Sequence, residues 1–248
     1  MNEDRKIQIV ILAAGKGKRM QSDLPKVLAT IKGRSMISRV LSSILEVSGE
    51  KPIMIVGHKA ELVQSELGNL CFYVSQKEQL GTGHAVSCAE KNCEKSDNVI
   101  VLSGDQPFIK AQTIKNLIKK HLETRAKITF TVTTPQDFLD WRKGFLGFGR
   151  ILRENNKVIG IKEYKDATEK EKETKEINAG CYIFNAKWLW KNLKKIKSKN
   201  AQNEYYLTDL LQIASKGGEK IETVQIESYE ALGANTKEEL KILENISL

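Results

Sequence analysis

The sequence contains few of the residues that mark several common classes of protein. It has four cysteines, Cys71, Cys88, Cys93 and Cys181, and none of them forms a C-x-x-C pair. We therefore expect free thiols packed as small core residues, rather than a disulfide framework or a zinc site. The three histidines are scattered along the chain, which argues against a histidine metal cluster, and the absence of a G-x-S-x-G motif argues against a serine hydrolase.

Long apolar runs are also missing. No stretch approaches the ~18 residues of a membrane span, and the first nine residues hold four charges where a signal peptide would have an apolar core. These absences predict a cytoplasmic protein that does not bind membranes. The 248 residues show no internal repeat, low-complexity tract or Pro/Gly linker, so we predict one domain spanning residues 1–248.

Basic residues exceed acidic ones, at 40 against 31, giving a net charge of +9. The lysines are mixed with acids, as in KEYKDATEKEKETKE at 162–176, and aromatic residues make up 6% of the chain. Neither feature is typical of a nucleic-acid-binding surface, so nucleic-acid binding is the less favoured interpretation of this charge. A mild positive field would also attract nucleotides and sugar phosphates.

Hydrophobic periodicity predicts the fold class. In the first half, buried strands at 7–14, 53–56, 71–74 and 99–102 alternate with amphipathic helices near 37–45, 62–67, 85–91 and 114–122. This alternation is typical of an α/β protein with a doubly wound, mostly parallel sheet. The second half is less regular, with strands near 128–133, 151–152, 158–161 and 181–184 and a glycine-broken loop at 141–150. Thr208 is a candidate cap for a helix that follows it, and Thr236 with Glu239 is a capping box for the last helix.

Ligands in open α/β sheets bind at the carboxyl ends of strands, where the loop GKGKR at 15–19 follows the first strand. It is not a Walker A loop, because Leu12 stands where the first glycine is required and Arg19 where the hydroxyl is required. It is not a dinucleotide fingerprint either, because Met20 replaces the third glycine. Glycine backbone and nearby cations suit an anion site, but a solvated turn fits equally well. Lys26 is likewise a phosphate ligand or an ordinary surface lysine.

Three further groups of residues are candidates for ligand binding. QLGTGHA at 79–85 offers backbone amides to a nucleobase or an anion, or is a helix start capped by Thr82. Asp105 follows a strand and Gly104, which suits either Mg²⁺ or a helix cap. Amides and acids in apolar surroundings suit sugar hydroxyls; they are Glu163, Asn178, Asn235 and the segment NAQNEYYLTD at 200–209. Asn235 fits an ordinary turn residue as well.

The motifs also resemble a known family. LAAGKGKRMQSDLPKVL resembles the signature of sugar-phosphate nucleotidyltransferases, which several branches share. QLGTGHAV, GFGRILREN, IGIKEYKDAT, EINAG and NAQNEYYLTD, in this order, are narrower. Together they resemble the uridylyltransferase domain of bifunctional N-acetylglucosamine-1-phosphate uridyltransferases, from about residue 7 to about residue 240.

The resemblance implies a Rossmann-like nucleotidyltransferase fold. It implies that UTP and N-acetylglucosamine 1-phosphate react with Mg²⁺ to give pyrophosphate and UDP-N-acetylglucosamine, a precursor of cell wall and lipopolysaccharide. Residues 1–125 would bind the nucleotide, and residues 126–248 would bind the sugar and include the C-terminal helix. The assignments carried over are Leu12, Ala13, Ala14, Gly15, Gln76, Gly81 and Thr82 for the uridine nucleotide, Arg19 and Lys26 for catalysis at the triphosphate, Gly149, Glu163 and Asn178 for the sugar, and Asp105 and Asn235 for the metal.

Some positions depart from the family pattern. Lys18 stands where the family usually has Thr, SGDQP at 103–107 replaces YGDVP, and Ala179 replaces the Thr of EINTG. These departures leave the identity of the sugar more open than that of the nucleotide, so another sugar 1-phosphate, or dTTP or CTP, remains an alternative. A non-catalytic nucleic-acid-binding or regulatory protein is the alternative of a different class.

The family continues into a trimerising domain of hexapeptide repeats that carries acetyltransferase activity. This sequence shows no such repeat, so we expect no acetyltransferase activity from this chain. The oligomeric state stays open.

Overall fold

The structure is a computed structural model that describes residues 5–20 and 22–246. Its strands are β1 Ile7–Leu12, β2 Thr30–Ile31, β3 Arg34–Ser35, β4 Ile53–Val56, β5 Phe72–Ser75, β6 Asn98–Ser103, β7 Ile128–Thr133, β8 Arg150–Glu154, β9 Lys157–Lys162, β10 Ile177–Asn185 and β11 Ile221–Gln225. Its α-helices are α1 Met36–Leu45, α2 Ala60–Leu67, α3 Thr82–Ser87, α4 Ala111–Thr124, α5 Glu169–Lys172, α6 Ala186–Leu193, α7 Asp209–Lys216 and α8 Lys237–Asn245.

The main sheet has the strand order β11-β7-β10-β6-β1-β4-β5, and the β8–β9 hairpin joins it through β10. Strands β6, β1, β4 and β5 run parallel. Strand β10 runs antiparallel to both β6 and β7, while β11 is parallel to β7. The predicted α/β class with a mostly parallel sheet is therefore confirmed, and the irregular second half contains the antiparallel strand and the hairpin.

The sheet is covered on both faces. Successive residues of β1 enter different clusters, since Val10 packs with one layer and Ile11 with the other. This alternation follows from the two-residue period of a strand. Helices α1, α2 and α4 cover one face, and α3, α6 and α7 cover the other. A third, smaller cluster lies under α8.

The topology brings distant segments to one edge of the sheet. The carboxyl ends of the parallel strands β1, β4, β5 and β6 lie together, and β10, being antiparallel, begins at this edge. The residues at these positions are Leu12, Gln76, Asp105 and Asn178. The fold therefore positions a site at this edge, as expected for an open α/β sheet.

Several predicted boundaries were wrong. Strand β1 ends at Leu12 rather than 14, because its partner β6 ends at the paired residue Ser103. Helix α3 begins at Thr82 and ends at Ser87, where 85–91 was predicted, and a 3₁₀ turn follows at Glu90–Cys93. Strand β5 is displaced by one residue from the predicted 71–74. Helix α6 and strand β11 were not predicted.

The predicted helix caps hold only in part. The side chains of Thr82 and Thr208 do not cap α3 and α7. The Thr236 hydroxyl accepts from the amide of Glu239 at 3.1 Å, as predicted, but the Glu239 carboxylate accepts from the amide of Asn235 instead of closing the capping box. The glycine-broken loop predicted at 141–150 is largely a 3₁₀ segment, Asp140–Gly147.

All four cysteines are free, and Cys71, Cys93 and Cys181 are buried, as expected for small core residues. Within residues 5–20 and 22–246, none of the helices combines the length and the apolar character that crossing a membrane requires.

Candidate active site

A first cleft of about 220 Å³ opens at the carboxyl ends of β1 and β5. Lys26, Asp105, Gln79 and Glu204 contribute to its walls. All seven residues predicted to hold the nucleotide line this cleft, namely Leu12, Ala13, Ala14, Gly15, Gln76, Gly81 and Thr82. These seven residues, which are up to 70 positions apart in sequence, thus share one concave surface.

The segment 204–207 holds Gly81 and Thr82 in place. Gly81 has a φ of +109°, and a Cβ at this position would lie 2.7 Å from the carbonyl oxygen of Tyr205, so only glycine fits. The Tyr205 amide donates to Leu80 O at 2.7 Å, and the Leu207 amide donates to the Thr82 hydroxyl at 3.0 Å. The motifs QLGTG and NEYYLTD therefore form one packed unit.

Gln76 lines the first cleft. It follows β5, and its amide donates to Val56 O at 2.7 Å. Its side chain is buried, and Nε2 donates to Gly81 O at 3.2 Å and lies 3.1 Å from His84 Nδ1. These contacts hold the side-chain amide in one orientation at the wall of the cleft.

Lys26 joins the two predicted metal ligands. Its ammonium pairs with the carboxylate of Asp105 and donates to the side-chain oxygen of Asn235 at 2.8 Å. The Ser103 hydroxyl donates to the other carboxylate oxygen of Asp105. Burial by itself would raise the pKa of Asp105, but the charge and hydrogen bond of Lys26, with the bond from Ser103, outweigh burial and lower that pKa. The carboxylate is therefore ionised at neutral pH.

A second cleft of about 240 Å³ adjoins the first and shares Leu12, Thr82, Ser103 and Asp105 with it. The second cleft contains the predicted sugar residues Gly149, Glu163 and Asn178, together with both predicted metal ligands, Asp105 and Asn235. The ion pair of Lys26 and Asp105 thus lies where the two clefts meet.

Glu163 follows β9 and faces the second cleft. The Thr208 hydroxyl donates to its Oε1 at 2.8 Å, and a Cβ on Gly149 would lie 3.5 Å from both carboxylate oxygens. Burial raises the pKa of Glu163, and the charges of Asp209 and Asp166 add to this effect, while the bond from Thr208 opposes it. The cleft therefore contains an acid that is costly to ionise.

Asn178 lies on a bulge of β10. The pairing of β10 with β7 shifts between Asn178 and Tyr182, and Gly180 within the bulge has a φ of +79°. The Asn178 side-chain oxygen accepts from the Gly180 amide at 3.1 Å. The bulge turns the start of β10 toward the second cleft.

Arg19 is the one predicted site residue that lines neither cleft. It is exposed on the 3₁₀ turn Lys18–Met20. Its role at the triphosphate stays a prediction.

Arg150 and Gln106 support the site, and their roles were not predicted from the sequence. Arg150 is fully buried and donates to the carbonyl oxygens of Phe148 at 2.6 Å and Leu146 at 3.2 Å, which holds the loop before Gly149. Gln106 is buried beside Asp105. A polar residue inside a conspicuous motif, as in GFGR and SGDQP, is the only signal that the sequence offers for either one.

The residues present fit a magnesium ion. The oxygens of Asp105 and Asn235 converge on one cation, the Lys26 ammonium. Two hard oxygen ligands suit Mg²⁺, which usually completes its coordination with water and substrate phosphates. Among the described residues, no group of three or more His, Cys, Asp or Glu side chains is arranged to hold a metal.

The fold is one that solved nucleotidyltransferases share. Solved structures support the fold: a UDP-glucose pyrophosphorylase complexed with UDP-glucose has a TM-score of 0.76 at 18% identity, covering 97% of each chain. An inositol-1-phosphate CTP transferase from T. maritima has a TM-score of 0.69 at 18% identity, covering 100% of each chain. Residues 9–162 match the MobA-like NTP transferase domain, and the chain belongs to this family.

Curated relatives are similar to this chain over nearly its whole length. The chain is 41% identical over 239 residues to the bifunctional protein GlmU of Desulfitobacterium hafniense strain Y51, and 42% identical over 240 residues to that of Streptococcus pyogenes serotype M1. Each match covers 96% of this chain and 51% of the relative. The resemblance predicted from the motifs is therefore confirmed, and the chain spans about half the length of these relatives.

Proposed function

We propose that this chain transfers a uridylyl group from UTP to N-acetylglucosamine 1-phosphate, giving UDP-N-acetylglucosamine and pyrophosphate. One observation carries the proposal: the contacts of Lys26 with Asp105 and Asn235 lie where two adjoining clefts meet. A reaction that joins a nucleotide to a sugar phosphate needs such a junction. The likeness to the GlmU proteins supports this choice of substrates.

In this proposal, the first cleft binds UTP. The LAAG backbone at 12–15 and Gly81 lie against the nucleotide, and the buried amide of Gln76 reads the base. Glu163, Asn178 and the backbone of Gly149 hold the sugar in the second cleft. Residues 1–248 act as one domain; the nucleotide residues come from 1–125, and the sugar residues from 126–248.

The reaction needs no covalent intermediate on the protein. A phosphate oxygen of the sugar 1-phosphate forms a bond to the α-phosphorus of UTP, and the bond to the bridging oxygen breaks in line, so that pyrophosphate leaves. Such transfers depend on positioning and on the stabilisation of charge. Lys26 and Arg19 neutralise phosphate charge in this scheme.

Mg²⁺ would be held by Asp105 and Asn235, and it would supply further charge neutralisation at the phosphates. The Lys26 ammonium already lies beside both residues. We expect the Lys26 ammonium to turn toward the triphosphate when UTP binds. The four free thiols fit action in a reducing compartment such as the cytoplasm.

Pyrophosphate release tests this function. UTP, Mg²⁺ and N-acetylglucosamine 1-phosphate are assayed beside glucose, glucosamine and galactosamine 1-phosphates, and UTP beside dTTP and CTP. Turnover restricted to UTP and the acetylated sugar supports the proposal. Turnover with another nucleotide or another sugar 1-phosphate would support the mechanism and change the assigned substrate. No turnover, combined with salt-dependent binding of duplex nucleic acid, would favour the nucleic-acid alternative.

A further inference from the structure

Gln106 lines the second cleft, and its side chain contacts the backbone of two separate segments of the chain. It follows Asp105 directly, and the residue is 7% exposed. Its Nε2 donates to Ala179 O at 3.0 Å and to Ala231 O at 3.2 Å. One amide group thus contacts two backbone segments that are about fifty residues apart.

Each of these two segments carries a residue of the proposed site. Ala179 lies in the β10 bulge next to Asn178. Ala231 ends the 3₁₀ turn Ser228–Ala231, and the chain from there leads to Asn235. The Gln106 amide therefore ties the proposed sugar ligand, the proposed second metal ligand and the Asp105 segment to one another.

Close packing restricts where the amide can lie. A Cβ at Gly180 would lie 2.9 Å from Gln106 Nε2 and 3.1 Å from Oε1. On the other side, a Cβ at Gly233 would lie 2.6 Å from Asp105 O. Glycines at both positions let the two segments approach the Asp105–Gln106 backbone and side chain, and the two hydrogen bonds then hold them there.

We propose that Gln106 is a positioning residue that sets the geometry of the sugar cleft and of the metal ligand Asn235. This inference rests on the proposed function. Gln106 lines the second cleft and does not line the first. Loss of the Gln106 amide should therefore weaken binding of the sugar 1-phosphate and slow the chemical step. It should weaken binding of UTP less.

The test compares Gln106→Met, which keeps a side chain of similar length without donors, and Gln106→Glu, which places a carboxylate against two carbonyl oxygens. Removing a buried donor leaves its acceptors unsatisfied. We expect the KM for the sugar 1-phosphate to rise about tenfold or more, with a fall in kcat, while the KM for UTP changes less than about twofold. Gln112→Glu is the matched control, because this glutamine is exposed, lines neither cleft, and its side chain donates to Asn116 on the same helix.

Hydrogen exchange supplies a readout that does not depend on turnover. Amides at 178–180 and 231–235 should exchange faster in Gln106→Met than in the wild type, and those around Gln76 should not. Gln106→Asn, which keeps the amide on a shorter side chain, should show a smaller effect and covers the case in which the other variants fail to fold.

Equal kinetic constants in the wild type and in the folded variants would overturn the inference, and so would equal rises of both KM values accompanied by a general loss of stability. A wild-type protein without turnover would instead count against the proposed function. In that case unchanged hydrogen exchange in the variants would also overturn the positioning role, and locally faster exchange would support it.

Discussion

The ammonium of Lys26 pairs with the carboxylate of Asp105, 79 residues further along the chain. Both side chains are mostly buried, with 17% and 13% of their surface exposed. Asp105 lines both clefts and Lys26 lines the first, so the pair lies where the two clefts meet.

Replacing Asp105 with Asn should reduce turnover by roughly 10²–10³-fold, because it removes a charge that acts at the phosphates. The amide keeps the size of the side chain, so far-UV circular dichroism should be unchanged. Pyrophosphate release and circular dichroism measure the two effects. Asp97→Asn, near the opposite end of β6, is the matched control; turnover of Asp105→Asn at the level of this control would remove the assigned role.

Gly17 gives a prediction about the loop. It has a φ of +59°, and a Cβ there would lie 2.7 Å from Lys26 Cβ. Gly17→Ala should therefore lower the free energy of unfolding by about 1–2 kcal/mol and displace Lys26, so that the KM for UTP rises. Denaturant titration and kinetics check this. Gly49→Ala, where a Cβ meets nothing within 4 Å, should match the wild type; equal behaviour of the two variants would contradict the prediction.

Replacing Glu163 should change both the free energy of unfolding and the binding of the sugar 1-phosphate. A carboxyl whose pKa is raised in the folded state binds protons more readily there than in the unfolded chain, so its ionisation destabilises the fold as pH rises through that pKa. Glu163→Gln should raise the free energy of unfolding at pH 7 and weaken binding of the sugar 1-phosphate. Denaturant titration at pH 5 and pH 7, with calorimetry of sugar-phosphate binding, tests both. A variant less stable than the wild type at pH 7 would argue against this account.

His121 predicts a loss of stability in acid. It is buried, with Nδ1 2.9 Å from the Thr129 hydroxyl and Nε2 3.1 Å from Asn98 Oδ1. Burial, with the charges of Arg5 and Lys127, lowers its pKa from 6.5 to about 4. The unfolded state therefore binds the proton first, and the contribution of the neutral ring is complete above pH 6.5 and is lost as pH falls toward 4.

The expected loss from His121 is about 3 kcal/mol between pH 7 and pH 4, at 1.36 kcal/mol for each pH unit that separates the two pKa values. Denaturant titrations across this range measure it. His121→Gln should flatten the profile, whereas His58→Gln, at an exposed position, should keep the wild-type slope. Parallel profiles for all three proteins would exclude His121 as the source.

Part of the candidate site could be predicted from local sequence. Asp105 was placed at the end of a strand because the apolar run at 99–102 stops at Ser-Gly-Asp, and the structure has β6 end at Ser103. A helix cap was one of two interpretations of Thr82, and it was wrong because the Thr82 hydroxyl accepts from the amide of Leu207, 125 residues away. A local rule for caps contains no information about such a partner.

The roles of the buried polar residues Arg150 and Gln106 also depend on partners that local sequence does not indicate. Both side chains bond backbone carbonyls, and carbonyl groups are present at every residue, so the sequence does not indicate which ones are used. The antiparallel direction of β10 was missed for a related reason. A buried strand reads as a continuous apolar run in either direction.

The sequence by itself determined the alternation of strands and helices, the glycine loops and the polar residues at strand ends, because hydrophobic period and turn chemistry act over a few residues. Only the tertiary structure decided that Lys26 meets Asp105 and Asn235, which lie 79 and 209 residues away. Those contacts depend on the strand order of the sheet and on the direction of β10. Both result from the packing of the whole chain rather than from any single segment.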